Sequence, residues 1–254
     1  MPDAHARLSA SSAKAWLSCG GYIAFHDHYK KPDNEESEYA KEGTEAHALA
    51  EKILRGLFLN GPKIRKQKAF DADMYYYVRN YVDYVCDIHK KLVRKYGKDN
   101  VDVKIEQRLD FSNIIPEGFG TGDCVILTPN EIHIIDLKFG KGVAVSAYQN
   151  PQLMLYGIGA LNQYDMLYDF QTITLHIAQV RMEEFSNYEI SIQELFDWAE
   201  EVQKTAYDIY TGKIEYHQGV DQCRWCEGRY MCAERCKQLL APIQYILNQG
   251  DDTL

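Results

Sequence analysis

The chain has 254 residues, is 46% hydrophobic and carries a net charge of −9 at pH 7, which is enough apolar material for one large globular domain over residues 1–254. No apolar run reaches the length of a membrane span, and MPDAHARLSASSAK at the start has neither a basic n-region nor an h-region, so a cytoplasmic protein without a membrane anchor is expected. The acidic balance excludes a broadly basic phosphate-binding surface, so any contact with DNA is expected to be local.

In chain order, a first helix is expected to begin near Ser9 or Ser12, both good N-caps, and to carry Trp16, Leu17 and Cys19. An acidic loop, KPDNEESEY, follows. Residues 42–54 place Ala46, Leu49, Ala50, Ile53 and Leu54 at helical spacing, with His47 in the early turns. A long aromatic-rich helix spans 74–96. From Val101 the period changes to two: VDVKIEQRL, DCVIL and EIHIIDLKF read as strands, and Pro129-Asn130 marks a turn between the last two. Residues 146–163 read as a helix that tolerates Pro151 in its first turn or as a kink, and TITLHIAQV is a further strand. Ser191 with Glu194 opens another long helix as a capping box, Gly212 sits near its end, a cysteine-rich segment follows, and the tail QGDDTL is polar. This order predicts a mixed α+β fold, a central mixed sheet flanked by helices.

Two constellations carry chemistry. Asp123 enters DCVIL and Asp136 closes IHIID, so a hairpin turning at Pro129-Asn130 brings the two carboxylates together, and Lys138, two residues on, points to the face of Asp136. Hard oxygen ligands of this kind suit Mg²⁺ or Mn²⁺, and the ammonium suits a role in orienting water and offsetting negative charge. Basic stretches at Arg55–Lys68 and Lys90–Lys98 are the candidate DNA-binding faces, although the ordinary reading of either is a solvated surface.

The other constellation is the cysteine set. Seven cysteines in a reducing compartment favour metal ligation over disulfides. Cys223, Cys226 and Cys232 in DQCRWCEGRYMC, with Cys19 about two hundred residues upstream, form four soft ligands that only the folded chain brings together. Four thiolates suit zinc as well as an iron–sulfur cluster. Cys86 and Cys124 read as packing residues, and Cys236, four residues beyond Cys232, is a possible substitute ligand on the same helical face.

The ordered set of SASSAKAWLSC ending at Cys19, GTEAH ending at His47, GTGD ending at Asp123, DLK at 136–138, Gln152-x-x-x-Tyr156 and the terminal Cys-x2-Cys-x5-Cys resembles the RecB-like PD-(D/E)XK nucleases that carry an iron–sulfur cluster. The layout looks most like the compact phage-encoded members and is similar to the AddB nuclease domain and the CRISPR-adaptation nucleases. The resemblance implies a restriction-endonuclease-like fold whose regions 1–30 and 215–240 are stapled by a 4Fe-4S cluster on Cys19, Cys223, Cys226 and Cys232, the family spacing choosing Cys232 over Cys236. It implies a Mg²⁺- or Mn²⁺-dependent DNA exonuclease with His47, Asp123 and Asp136 as metal ligands, Lys138 positioning the attacking water, and Gln152 and Tyr156 lining the DNA side. Glu106 is expected to be structural or to stand behind the ligands. Phage DNA recombination or replication, with a single-strand-binding or annealing protein as partner, is the implied setting, and an oligomer is compatible with it. DNA trimming in CRISPR adaptation and a non-catalytic iron–sulfur DNA-binding scaffold are the alternatives.

Overall fold

A computed structural model describes residues 6–29, 38–61 and 71–250, with side chains as far as residue 242. Most of the acidic loop KPDNEESEY, the basic stretch from residue 62 to 68 and the last four residues of the tail lie outside the described residues.

A 3-10 turn, Ala10–Ser12, leads into α1 (Ala13–Ser18). The helix stops one residue before the expected Cys19, its C-cap, whose extended backbone breaks the helical run before α2 (Gly21–His28) begins. Trp16 is fully buried, and its indole N–H donates to the Ser9 carbonyl at 3.0 Å, so its large apolar surface enters the core with its one donor satisfied. α3 (Glu38–Phe58) and α4 (Ala72–Tyr96) follow. The five apolar positions expected on α3 are all buried, and they pack against Val78, Tyr81, Val82 and Val85 of α4. Asp71 caps α4 by accepting from the Asp73 N–H at 2.9 Å.

The sheet has order β1 (Asp102–Asp110), β2 (Phe119–Leu127), β3 (Glu131–Lys138), β4 (Thr172–Gln179), β5 (Glu184–Ser191). The first three strands form an antiparallel meander, β3 and β4 are parallel, and β5 is antiparallel to β4. The parallel step requires a crossover, which α5 (Pro151–Tyr164) provides. The helix expected from 146 starts at Pro151, because Asn150 caps it through the Leu153 N–H and proline takes the first helical position. α6 (Ile192–Tyr210) opens on the Ser191–Glu194 capping box, and Gly212, with φ +86, follows its C-cap. α7 (Val220–Arg224) and α8 (Ala233–Gly250) complete the chain. This is the mixed α+β architecture that the element order predicts. No helix among the described residues is long and apolar enough to cross a membrane.

The sheet separates two cores. One lies under α3 and α4 and takes Cys124, Ile126, Ile135 and Leu137; the other lies under α1, α5 and α6 and takes Val125, Leu127, Ile132 and Ile134. Strict alternation fails in β1. Val103 and Ile105 face α3 and α4, but Leu109, of the same parity, belongs to the α5 core. The break is at Glu106, which has φ +49 and falls between the paired residues Ile105–Cys124 and Gln107–Gly122. Across from it β2 exchanges faces too: Cys124 and Ile126 face α3 and α4, whereas a side chain at Gly120 would strike the Tyr156 ring of α5. Glycine at 120 therefore lets Tyr156 lie directly on β2.

Candidate active site

At this break the expected residues converge. Pairing of β2 with β3 runs from Leu127–Ile132 to Cys124–Ile135 and stops before Asp123 and Asp136. There the Asp123 side chain replaces the ladder: Oδ2 accepts the Leu137 N–H at 2.7 Å, and Oδ1 lies 3.0 Å from His47 Nδ1 on α3. Asp136 is buried on the α5 side, where Gln152 Nε2 donates to its Oδ1 at 3.1 Å. Lys138 Nζ donates to Gln152 Oε1 at 2.9 Å and lies 2.9 Å from Asp136 Oδ2. That approach to Oδ2 is close but outside hydrogen-bond geometry, so the buried oxygen has no hydrogen-bond donor. Gln152 Nε2 also lies 3.2 Å from Tyr156 Oη, one helical turn away. The six residues singled out in the sequence thus form two bonded groups, His47 with Asp123 and Asp136 with Lys138, Gln152 and Tyr156, joined by the Asp123 bond to the Leu137 backbone.

Glu106, expected only to support the site, is closer to it than that. Ligand atoms of His47, Glu106 and Asp123 lie within 4.8 Å of one another, and this is the only such set of three His, Cys, Asp or Glu side chains among the described residues. Asp136 does not join it; it faces Gln152 and Lys138 instead. A strand read as regular alternation gives no sign that Glu106 turns inward, since the left-handed backbone is what turns it.

The electrostatics follow from burial and crowding of acids. Burial opposes a charged His47, but the adjacent Asp123 charge and hydrogen bond, with Asp136 behind, push its pKa up to about 9. Burial and then the Asp123 charge push Glu106 up to about 7. Burial also raises Asp136, opposed by Lys138 and reinforced by Asp123. Tyr156 is raised by burial and by Asp136, so it stays a neutral phenol. The donor set is one imidazole and a group of carboxylates with an orphaned buried oxygen, which fits Mg²⁺ or Mn²⁺.

The basic stretch Lys90–Lys98 does not border this site, and residues 62–68 of the other stretch lie outside the described residues. Lys90–Lys98 ends α4 at the opposite end of the sheet, where Tyr96 Oη donates to Asn130 Oδ1 at 2.6 Å and Lys95 pairs with Glu131. The direction of α4 carries these lysines to the Pro129-Asn130 turn. Arg55 is engaged by Glu51 and the Ile105 carbonyl. Two further cations, Lys14 and Arg224, stand near the start of α5. They line a cavity of about 660 Å³ with Ser11, Tyr148, Asn150 and Trp225, one residue short of Gln152.

The two ends of the chain meet beside that cavity. α1 packs on α7, and α2 packs on the 3-10 turn Glu227–Tyr230. Gly228 is needed there because the Phe25 ring occupies the space of any side chain. Cys19, Cys223, Cys226 and Cys232 all line one small cavity between these segments; Cys236 does not. The His217 N–H points to Cys19 Sγ at 3.3 Å and the Gly219 N–H to Cys223 Sγ at 3.5 Å. Cys226 is raised by burial and by the three neighbouring cysteines, against a backbone hydrogen bond from Gly228. Cys124 is fully buried in the α3–α4 core and Cys86 half-buried on α4.

A family model described as a protein of unknown function (DUF2800) matches residues 5–252, and the chain belongs to that family. A solved structure titled "Crystal structure of SSO0001" is similar over 85% of this chain and 82% of that one, with 13% identity and a TM-score of 0.37.

Proposed function

We propose that this DUF2800 chain is a Mg²⁺- or Mn²⁺-dependent deoxyribonuclease of the RecB-like PD-(D/E)XK type, acting as an exonuclease. The observation that carries the reading is the convergence of His47, Asp123, Asp136, Lys138, Gln152 and Tyr156, drawn from four separate elements, at the point where β2 and β3 part. Packing alone gives no reason to bury Asp136 in an ion pair with Lys138, 2.9 Å from its Oδ2, because desolvating such a pair costs about as much as its attraction returns.

His47, Asp123 and Asp136 would hold the metal ion, which supplies Lewis-acid stabilisation of phosphate charge and a more acidic water when bound. Lys138, held between Asp136 and Gln152, orients the attacking water and offsets negative charge as it develops on phosphate. Gln152 fixes that ammonium and Asp136 together, so α5 sets the geometry of the reacting side. Tyr156, a neutral phenol against Gly120, braces Gln152. The incoming strand would approach through the cavity between Lys14, Tyr148, Arg224 and Trp225, where two cations and two aromatic rings suit phosphates and unstacked bases.

The four cysteines around one cavity support a 4Fe-4S cluster between the chain ends. A single zinc with Zn–S of about 2.3 Å needs its thiolates about 3.8 Å apart, and among the described residues no three thiolates gather within 4.8 Å of one another. Backbone N–H groups directed at Cys19 and Cys223 are the bonds that tune cluster sulfur.

Digestion of end-labelled single- and double-stranded DNA tests the activity. Cleavage with Mg²⁺ or Mn²⁺ that is absent in EDTA and in Lys138→Ala is the expected result; equal cleavage by Lys138→Ala would overturn the site.

A further inference from the structure

The turn that leads into α5 is held from several sides. The Asn150 N–H donates to the Ala147 carbonyl at 3.2 Å, the Ala147 N–H to Ser186 Oγ at 3.0 Å and the Tyr148 N–H to Ser146 Oγ at 3.1 Å. Gln149 takes the third position of this turn with φ +46, a left-handed backbone for which glycine or asparagine is the usual residue. Its side chain makes no hydrogen bond among the described residues and lines the cavity of about 660 Å³ beside α5. Strained backbone that delivers an unengaged amide to a cavity is a mark of function. The same cavity supplies an independent observation. Tyr148 and Trp225, 64% and 67% exposed, come from separate segments and both line it, with Tyr22 as a third aromatic. Tyr148 is set edge-on to Tyr188 at 5.0 Å, and the Arg224 guanidinium lies 5.7 Å from the Trp225 ring. Aromatic faces stack bases of any sequence, and a glutamine amide offers a base edge both donors and an acceptor.

We infer that the substrate is single-stranded DNA and that Gln149 is the residue that selects it, its amide meeting the hydrogen-bonding edge of an unpaired base stacked on Tyr148 or Trp225. A cavity of this volume is of the size that holds small ligands. It admits a nucleotide or two but no duplex, whose grooves alone are about 6 and 12 Å wide. In a duplex the Watson–Crick edge is already taken by the opposite base. Every base carries donors or acceptors on that edge, so the contact selects unpaired bases without selecting a sequence. This rests on the reading that DNA enters by this cavity but not on its cleavage.

Fluorescence anisotropy with a labelled oligonucleotide and Ca²⁺ tests the assignment by binding alone. The wild type should bind the single strand at least about tenfold more tightly than the blunt duplex of the same sequence, the scale of one or two stacked bases. Gln149→Gly should lower single-strand affinity by about 3–10-fold, the scale of one hydrogen bond. Its thermal midpoint should be no lower than that of the wild type, because glycine adopts this backbone freely. On an oligonucleotide of abasic nucleotides the two proteins should bind equally. Wild-type single-strand affinity in Gln149→Gly, an equal loss on the abasic strand, or no preference of the wild type for the single strand would overturn the inference. The two readings fail separately: single-strand binding sensitive to Gln149 in a protein that cleaves no DNA removes the nuclease and keeps the single-strand site, whereas metal-dependent cleavage with affinity unchanged in Gln149→Gly removes only the role of Gln149.

Discussion

The Asp123 carboxylate accepts the Leu137 N–H at 2.7 Å at the point where the β2–β3 ladder ends. A side chain thus stands in for a strand: one oxygen accepts the Leu137 N–H that the ended ladder leaves without a backbone partner on β2, and the other is left for His47. Asp136 faces α5 by strand alternation with Ile132 and Ile134.

Loss of Lys138 should separate chemistry from folding. Lys138→Ala should lower the rate of DNA cleavage by about 10²–10⁴-fold while the circular dichroism spectrum is retained. Asp136→Asn should also abolish cleavage but raise stability in EDTA, since burial and the Asp123 charge outweigh the Lys138 pair and raise the Asp136 carboxyl. Urea unfolding of both variants without metal checks the pair, and a less stable Asp136→Asn protein would contradict it.

A second polar cluster governs acid stability. His133 Nδ1 lies 3.1 Å from His176 Nε2, and Tyr84 Oη lies 3.0 Å from His176 Nδ1, on the sheet face under α4. Burial, and then His133, lower His176 to about 3; burial lowers His133 as well. With folded values below the unfolded 6.5, stability is complete above about pH 6.5 and is lost progressively as pH falls towards 3. Between pH 7.5 and 5 His176 should remove about 2 kcal/mol, and His133 acts in the same direction. Urea midpoints at the two pH values should show the loss, and His176→Gln should flatten it.

The Lys14–Trp225 cavity makes a claim about DNA. Trp225→Ala should weaken binding of single-stranded DNA by roughly 1–3 kcal/mol without altering its salt dependence, because stacking is lost and no counterion is involved. Replacing Lys14 and Arg224 by Gln should instead reduce the slope of log affinity against log salt by about 1–2. Fluorescence anisotropy with Ca²⁺ in place of Mg²⁺ distinguishes the two effects.

Alanine at Cys19, Cys223, Cys226 or Cys232 should bleach the protein's brown colour, lower iron and acid-labile sulfide, and reduce the thermal midpoint. Cys236→Ala, Cys86→Ala and Cys124→Ala should keep the colour, the last at some expense of packing in the α3–α4 core. Stoichiometric zinc without sulfide in anaerobically purified protein would replace the cluster by a mononuclear site.

Periodicity carries most of this architecture. The apolar stripe of α3 and the β2–β3 hairpin are legible because burial repeats every 3.6 or two residues. The start of α5 is not, because Ser146 to Asn150 are ordinary helix formers by pattern, yet Ser146 accepts the Tyr148 N–H and Asn150 caps the helix. The edge strand β5 escapes notice because half of EFSNYEIS is exposed and only Ile190 is buried, so it lacks an apolar rhythm. Glu106 and the His133–His176 pair are invisible for another reason: a left-handed φ has no signature outside glycine and asparagine, and two histidines 43 residues apart meet only when β3 and β4 pair.

Cys19 rests against the backbone of His217, and that contact has a timetable. At about 5–20 residues per second of synthesis, the α1 segment waits on the order of 10–40 s for its partner to be made. During that interval the face of α1 that meets α7 has nothing to cover it, and the strand-entry cavity lacks its Arg224–Trp225 wall. A nascent chain that has already paired Asp123 with Leu137 therefore carries the reacting groups of the proposed site before the wall formed by Arg224 and Trp225 is made, so the proposed passage is completed after the groups it leads to.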